Sequence, residues 1–316
     1  MIAAAFRLRT NAVGHTTPEE LLEGALAAQR RGSLGEAKRL YASVLRIDPI
    51  NAAAHGNLAI IAAQQGDLAG AERLIRREIE LRPSYPASYN NLGLLLQQQG
   101  RPAEAIAAHR HAIKLNPNYA EACLALGNAL KQQGNLDEAM EAYRSATRSR
   151  SGYAEAHNNI GVLLQMQGQL DQAASAYGKA VALRPAYAEA QFNLGVVLHQ
   201  MNELDDAEAA YRRVISLNPG IAVVHNNLGT VLNDKGLLDQ ALAAFESVPS
   251  SCELTTPRPP IIAARCCSGR PNWKKHWQRM VVLSSFAEIT PTRSTTPALC
   301  FRSLDAQVKQ SVFTVG

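Results

Sequence analysis

The chain has 316 residues, of which 47% are hydrophobic and only 5% aromatic, and a formal net charge of +5 at pH 7. The positive charge comes from residues 249–316, which hold nine Lys or Arg and three Asp or Glu. Residues 1–248 therefore carry a net charge of −1. This balance argues against nucleic-acid binding by the first part of the chain, and no stretch approaches the eighteen apolar residues of a membrane span.

The N-terminal segment, residues 1–17, is not expected to be a secretory signal peptide. Its first six residues are apolar, but they precede Arg7 and Arg9 instead of following a basic region, which does not fit a secretory signal peptide. Four of the five cysteines lie beyond residue 249, so they do not form a disulfide framework. We therefore expect a cytoplasmic protein.

Residues 18–248 consist of seven copies of a 34-residue unit that align without gaps. The copies start at Pro18, Ala52, Pro86, Ala120, Ala154, Ala188 and Ala222. A fixed period of this length predicts a solenoid of helical units that cannot bury their apolar faces alone. Such an array indicates a binding surface more than a catalytic pocket.

Each copy carries the same markers at the same place, counted from its first residue. The eighth and twentieth places hold Ala or Gly, which allows two helices to cross closely. The twenty-fourth place is aromatic in most copies, and a glycine marks the turn inside each unit. Asn202 replaces that glycine in copy six. Most second helices are followed by proline, but copy four has Ser151 there, so we expect its second helix to extend further or to fray.

These markers resemble those of the tetratricopeptide repeat, and the resemblance covers about three quarters of the chain. The resemblance implies an all-α fold, a right-handed superhelical solenoid of antiparallel helix pairs. It also implies that the first helices line the concave face and the second helices form the convex face. No strand pattern of any length competes with this fold.

Asparagines recur on the first helices, which carries a cost because asparagine is a mediocre helix former. One interpretation is sequence drift among recently duplicated units. The other is a row of side-chain amides, each with a donor and an acceptor for the backbone of an extended peptide. We favour the second, in which copy four leaves a gap at Ala125. The candidate peptide-binding residues are Asn57, Asn91, Asn159, Asn193 and Asn227 at the sixth place, with Asn90, Asn158 and Asn226 before three of them.

This row resembles the asparagine ladder in the superhelical arm of O-linked N-acetylglucosamine transferases. The segments His-Asn-Asn-Ile-Gly at 157–161 and Lys-Gln-Gln-Gly-Asn-Leu-Asp-Glu-Ala at 131–139 are especially similar to repeats of that family. The resemblance implies that repeat asparagines hold a substrate chain. It stops at the arm, because no glycosyltransferase domain follows in this sequence.

Other chemistry is less well supported. The fifth places lack the lysine with which co-chaperone repeats clamp a carboxylate. His55, His157 and His225 share the fourth place on separate units without a carboxylate at ligand spacing, so packing or surface roles are favoured over metal binding. We find no nucleophile with a base and no phosphate loop, and we predict no enzyme activity, cofactor or metal site.

Residues 249–316 have both tryptophans and no helical period. One interpretation is a disordered, irregular basic tail. The other is a frame slip. A shifted reading frame joins the last base of each codon to the first two bases of the next codon. Across codons 272–280 this shifted frame can encode Leu-Glu-Glu-Ala-Leu-Ala-Ala-Tyr. In-frame copy seven reads Leu-Asp-Gln-Ala-Leu-Ala-Ala-Phe at 238–245, and the shifted leucine begins 34 codons after Leu238. We hypothesise a one-base slip near codons 246–248 that hides about two repeats, so Trp273 and the tail cysteines would have no function.

The sequence as a whole predicts a non-catalytic protein-interaction scaffold that binds a protein or an extended peptide in a concave, asparagine-lined groove. The alternative is that it is the N-terminal substrate-recognition arm of an O-linked N-acetylglucosamine transferase-like enzyme, truncated by the frame slip. We expect neither nucleic acid nor a membrane as a partner. The sequence does not define the oligomeric state.

Overall fold

The computed structural model describes residues 17–247, which form fourteen α-helices and no β-strand. The all-α, helical-repeat prediction is confirmed, whereas the tail beyond residue 248 and the first sixteen residues lie outside the described part. The helices are α1 (Pro18–Arg30), α2 (Leu34–Ile47), α3 (Ala52–Gln64), α4 (Leu68–Leu81), α5 (Pro86–Gln98), α6 (Pro102–Leu115), α7 (Ala120–Gln132), α8 (Leu136–Ser149), α9 (Ala154–Met166), α10 (Leu170–Leu183), α11 (Ala188–Gln200), α12 (Leu204–Leu217), α13 (Ala222–Asp234) and α14 (Leu238–Glu246).

The described residues belong to two compact units. The first unit contains α1–α7 within residues 17–135, and the second contains α8–α14 within residues 136–247. In both units odd-numbered helices are the first helices of a repeat and even-numbered helices are the second. The two helices of each complete repeat pack against each other. These pairs are α1/α2, α3/α4 and α5/α6 in the first unit, and α9/α10, α11/α12 and α13/α14 in the second.

Side-chain caps fix the starts of α1 and α4. The Thr17 hydroxyl accepts a hydrogen bond from the Glu20 backbone N–H, while the Glu20 carboxylate accepts one from the Thr17 N–H, each at 3.2 Å. This capping box satisfies two backbone donors that the first turn leaves unpaired. The Asp67 carboxylate caps α4 in a related way, because it accepts from the Gly70 N–H at 2.8 Å.

The turn inside each repeat requires a left-handed residue. Six glycines at this position have φ between 72° and 84°, and Asn202 has φ of 63°. The predicted left-handed conformation is therefore confirmed, including at the asparagine, whose short polar side chain tolerates it.

The expectation for copy four was wrong. Helix α8 ends at Ser149 and has the same fourteen residues as α6 and α10, so the absence of proline at Ser151 neither lengthens nor shortens it. The Arg150 guanidinium lies 4.9 Å from the centre of the Tyr153 ring, as Arg184 does over Tyr187 at 3.7 Å. This cation–π contact is common to repeats with and without the proline and accompanies the turn in both.

The glycine at the eighth place packs against the ring at the twenty-fourth place of the same repeat. A Cβ atom added at Gly161 would lie 2.6 Å from the Tyr177 ring, and one at Gly195 would lie 2.9 Å from the Tyr211 ring. Both tyrosines are buried. A larger side chain at either glycine would force the helices of the pair apart, which explains the small residue at this place.

Candidate functional site

The first-helix face of the second unit comprises α9, α11 and α13, with α11 in contact with both of the others. Four side chains on this face belong to the predicted peptide-binding set and are half-buried: Asn159, Asn193, Asn226 and Asn227. A half-buried amide is restrained by packing and still accessible to a ligand. This face is therefore the part of the predicted site that a peptide can reach directly.

Asn158 connects α9 to α11. Its Nδ2 donates to Glu189 Oε1 at 3.2 Å, and its Oδ1 accepts from Asn193 Nδ2 at 3.1 Å. Because Asn158 is fully buried, these bonds act in a region of low dielectric and replace the water that the amide loses. Asn158 thus fixes the orientation of the Asn193 amide and has a structural role in this conformation.

Asn193 and Asn227 form hydrogen bonds in the same way, with the amide nitrogen bonded and the amide oxygen unbonded among the described residues. Each donates through Nδ2, Asn193 to Asn158 and Asn227 to the Tyr211 hydroxyl at 3.5 Å. The Oδ1 atoms of both residues accept no hydrogen bond from the described residues. An oxygen on an anchored amide is suited to accept an N–H from a bound backbone.

The asparagines of the first unit are more deeply buried. Asn57 is 7% exposed, and its Nδ2 donates to the Ala53 carbonyl oxygen of its own helix at 2.9 Å. Asn91 is 5% exposed, and its Oδ1 is buried without a hydrogen-bond partner. A peptide could contact these amides only along the narrow exposed part of each residue.

Asn90 is paired with His109 in the interior of the first unit. His109 Nδ1 lies 3.0 Å from Asn90 Oδ1, and because an amide oxygen can only accept, the imidazole is the donor. Burial lowers the pKa of His109 to about 4, so the ring is neutral at pH 7. The structure therefore places Asn90, like Asn158, in a structural pair and not on an open surface.

The histidines at the fourth place hold the turn that precedes their helix. The Nε2 atoms of His55, His157 and His225 lie 2.8–3.1 Å from the carbonyl oxygens of Pro49, Ser151 and Pro219. The Tyr89 hydroxyl makes the same contact with the Pro83 carbonyl at 3.0 Å. Sequence reasoning did not find this role, although the constant six-residue spacing between donor and carbonyl was visible in the sequence.

The described residues contain neither a metal-binding cluster nor a membrane-spanning helix. No group of three or more His, Cys, Asp or Glu side chains in residues 17–247 is arranged to hold a metal ion. None of the helices in that range combines the length and apolar character needed to cross a bilayer.

Comparison with known proteins places this architecture in a family. Models of the tetratricopeptide repeat match residues 22–86, 158–220 and 200–251, and two further models of the repeat match 127–168 and 86–119. The chain therefore belongs to the tetratricopeptide repeat family. No curated protein matches the sequence.

Several solved structures are similar. A tetratricopeptide repeat protein from Parabacteroides merdae is 17% identical with a TM-score of 0.55, over 85% of this chain and 98% of its own. PilW, a widely conserved type IV pilus biogenesis factor, is 20% identical with a TM-score of 0.59, over 68% of this chain and 98% of its own. MamA is 31% identical with a TM-score of 0.47, over 49% of this chain and 91% of its own. The first two similarities support the fold.

Proposed function

We propose that this protein is a non-catalytic interaction scaffold that binds an extended peptide segment of a partner protein on the first-helix face of its second unit. The single observation that carries the proposal is the pair of anchored amides at Asn193 and Asn227. Each has its Nδ2 held by a neighbouring side chain and its Oδ1 without a partner among residues 17–247. Such pre-organisation lowers the entropy lost on binding.

The spacing expected between packed helices such as α11 and α13 suits a particular peptide conformation. Packed helices lie about 8–10 Å apart, and a polyproline II strand repeats every three residues, about 9 Å. Backbone N–H groups three residues apart in such a strand point the same way, so consecutive amides can each accept one. Each hydrogen bond contributes about 1 kcal/mol net, so affinity depends on several bonds acting together.

The proposal is tested by backbone and side-chain substitutions in the same assay. A peptide selected from a random array on the full chain should lose affinity when one of two N–H groups three residues apart is N-methylated, and much less at the residues between them. The double variant Asn193→Ala with Asn227→Ala should weaken binding roughly tenfold or more. Asn233→Ala, near the C-terminal end of α13, is the matched control. Unchanged affinity of the double variant would show that these asparagines do not bind the peptide.

The runner-up is the substrate-recognition arm of an O-linked N-acetylglucosamine transferase-like enzyme, favoured by the similarity of segments 131–139 and 157–161 to that family's repeats. Sequencing the gene beyond codon 240 decides between them. A glycosyltransferase domain in the shifted frame would support the arm, and its absence in all frames would leave the scaffold.

A further inference from the structure

The twenty-first place of each repeat lies on the second helix, and in three copies it carries a long side chain that bonds to the next repeat. Lys38 Nζ donates to Gln65 Oε1 at 3.2 Å. Glu72 Oε2 accepts from Arg101 Nη1 at 2.8 Å, and Glu208 Oε2 accepts from Lys235 Nζ at 2.6 Å. The same place holds the buried side chains of Ile106 and Met140 in two other copies.

Copy five has Ala174 at this place, and its methyl group is too short to reach the next repeat. A groove of about 550 Å³ remains there. It is lined by Ala174 of α10, by Leu194 and Leu198 of α11, and by Ala209 and Ala210 of α12. We call this the Ala174 groove. The groove is open to solvent, so it suits a side chain of a partner protein better than an enclosed small ligand.

The groove is mainly apolar, with opposite charges at two points along one wall. Asp206 and Arg213 of α12 both line it, and seven residues of helix separate them by about 10 Å. Within the described residues neither side chain has a hydrogen bond or an ion pair. Their neighbours do: Arg212 Nε binds Glu208 Oε1 at 2.8 Å, and Asp205 binds Lys235. The two charges at the groove are thus available to a ligand.

The Ala174 groove lies on a different side of α11 from the asparagine row. Gln191, Leu194 and Leu198 form one stripe of the helix, and Asn193 is more than 90° around the axis from that stripe. A ligand in the groove would therefore not compete directly with a peptide bound at Asn193.

We propose that the Ala174 groove binds a short segment of a partner protein in which one apolar side chain lies between a basic and an acidic residue. The apolar side chain packs on Leu194 and Leu198, the basic residue pairs with Asp206, and the acidic residue pairs with Arg213. Charge complementarity selects this segment over one with two like charges, because the second like charge would face a group of its own sign. This inference does not depend on the asparagine row.

The test uses the full chain and three labelled peptides of equal length, titrated by fluorescence anisotropy and followed by methyl NMR. The peptides carry Lys-Gly-Leu-Gly-Glu, Glu-Gly-Leu-Gly-Glu and Lys-Gly-Leu-Gly-Lys at their centres. We expect the first to bind most tightly and to shift the methyl resonances of Leu194 and Leu198. No binding of the first peptide at millimolar concentration, or equal binding of all three, would overturn the proposal.

Variants with adjacent controls locate the effect. Ala174→Met introduces the residue of copy four and should weaken the first peptide about tenfold or more, because the leucine loses its buried site. Asp206→Asn and Arg213→Gln should each weaken it roughly two- to fivefold. Asp205→Asn and Arg212→Gln make the same charge changes one residue away and should leave the affinity within twofold. If the control variants weaken binding as much as the groove variants, the groove is not the site.

A second copy of this chain is an alternative occupant that the same variants detect. Concentration-dependent association that Ala174→Met abolishes, together with no binding of the Lys-Gly-Leu-Gly-Glu peptide, would assign the groove to self-association and reject the heterologous segment. The Asn193→Ala, Asn227→Ala variant should bind the groove peptide normally, which separates this result from the outcome for the asparagine row.

Discussion

The two units are built from one 34-residue repeat, but copies two and three of the first unit have Ile75 and His109 at an interior place that is aromatic in the other five copies, Tyr41 of copy one included. In the second unit Tyr177 and Tyr211 fill the twenty-fourth place, and the Tyr177 hydroxyl donates to Gln165 Oε1 at 3.0 Å. In the first unit His109 occupies the same place of copy three, fully buried and with Nε2 unpaired. An apolar ring with one satisfied polar atom stabilises the interior more than an imidazole with an unsatisfied nitrogen.

Glu78 is a second polar substitution confined to the first unit. Its place, the twenty-seventh, holds alanine or valine in the other copies, and Glu78 is 4% exposed. Burial raises the pKa of its carboxyl group, partly offset by the Arg82 guanidinium 3.1 Å away. A Cβ atom at Gly56 would lie 2.4–2.6 Å from this carboxylate, so the glycine makes room for it. Polar groups enter this interior where their neighbours are small or polar.

The largest expected effect concerns the contribution of the ring at the twenty-fourth place to the free energy of unfolding. Tyr177→Ala should lower the free energy of unfolding by about 3–5 kcal/mol, because it removes a fully buried ring and leaves a cavity. His109→Ala should cost less, about 2–3 kcal/mol, because loss of the unsatisfied Nε2 partly offsets the cavity and the Asn90 Oδ1 that is left without its donor. Urea unfolding followed by circular dichroism measures both values. Equal losses would remove the energetic distinction between the units.

The acid sensitivity of the first unit comes next in size. The pKa of His109 is lowered from 6.5 to about 4 in the folded state, so only the unfolded state binds a proton between those values. The contribution of the neutral His109 to the free energy of unfolding is complete above pH 6.5. It is lost as the pH drops towards 4, by about 3 kcal/mol in total. His109→Tyr should abolish this dependence.

Glu78 acts in the opposite direction and must be controlled in that measurement. Its folded pKa is raised above the ordinary 4.5, so its contribution is greatest below pH 4.5 and is lost as the pH rises. The unfolding free energies at pH 7 and pH 4.5 are therefore compared in a Glu78→Gln background. A pH dependence that persists in the His109→Tyr, Glu78→Gln variant would show that other groups are responsible.

The smallest effect concerns two helical glycines of the second unit. Gly161→Ala should destabilise the fold by about 1–3 kcal/mol, because its Cβ atom would meet the Tyr177 ring. Gly178→Ala meets no atom within 4 Å and should stabilise α10 by up to about 1 kcal/mol. Thermal unfolding of the two variants should shift in opposite directions. Shifts of the same sign would contradict the assigned ring–glycine contact.

The sequence by itself determined the helical repeat, its 34-residue period and the left-handed turns, including the one at Asn202. Those features follow from local preferences and from a repeated pattern of small, aromatic and apolar residues, which each copy displays independently. The same pattern allowed the asparagines to be assigned to the first helices.

Only the tertiary structure decided which of those asparagines a ligand can reach. Asn91 and Asn193 occupy the same sixth place of their copies, but Asn91 is only 5% exposed and Asn193 is half-buried. That difference depends on the side chains of the neighbouring repeat. The Ala174 groove has the same origin, because it is lined by residues of two neighbouring repeats and the sequence of either repeat alone does not show it.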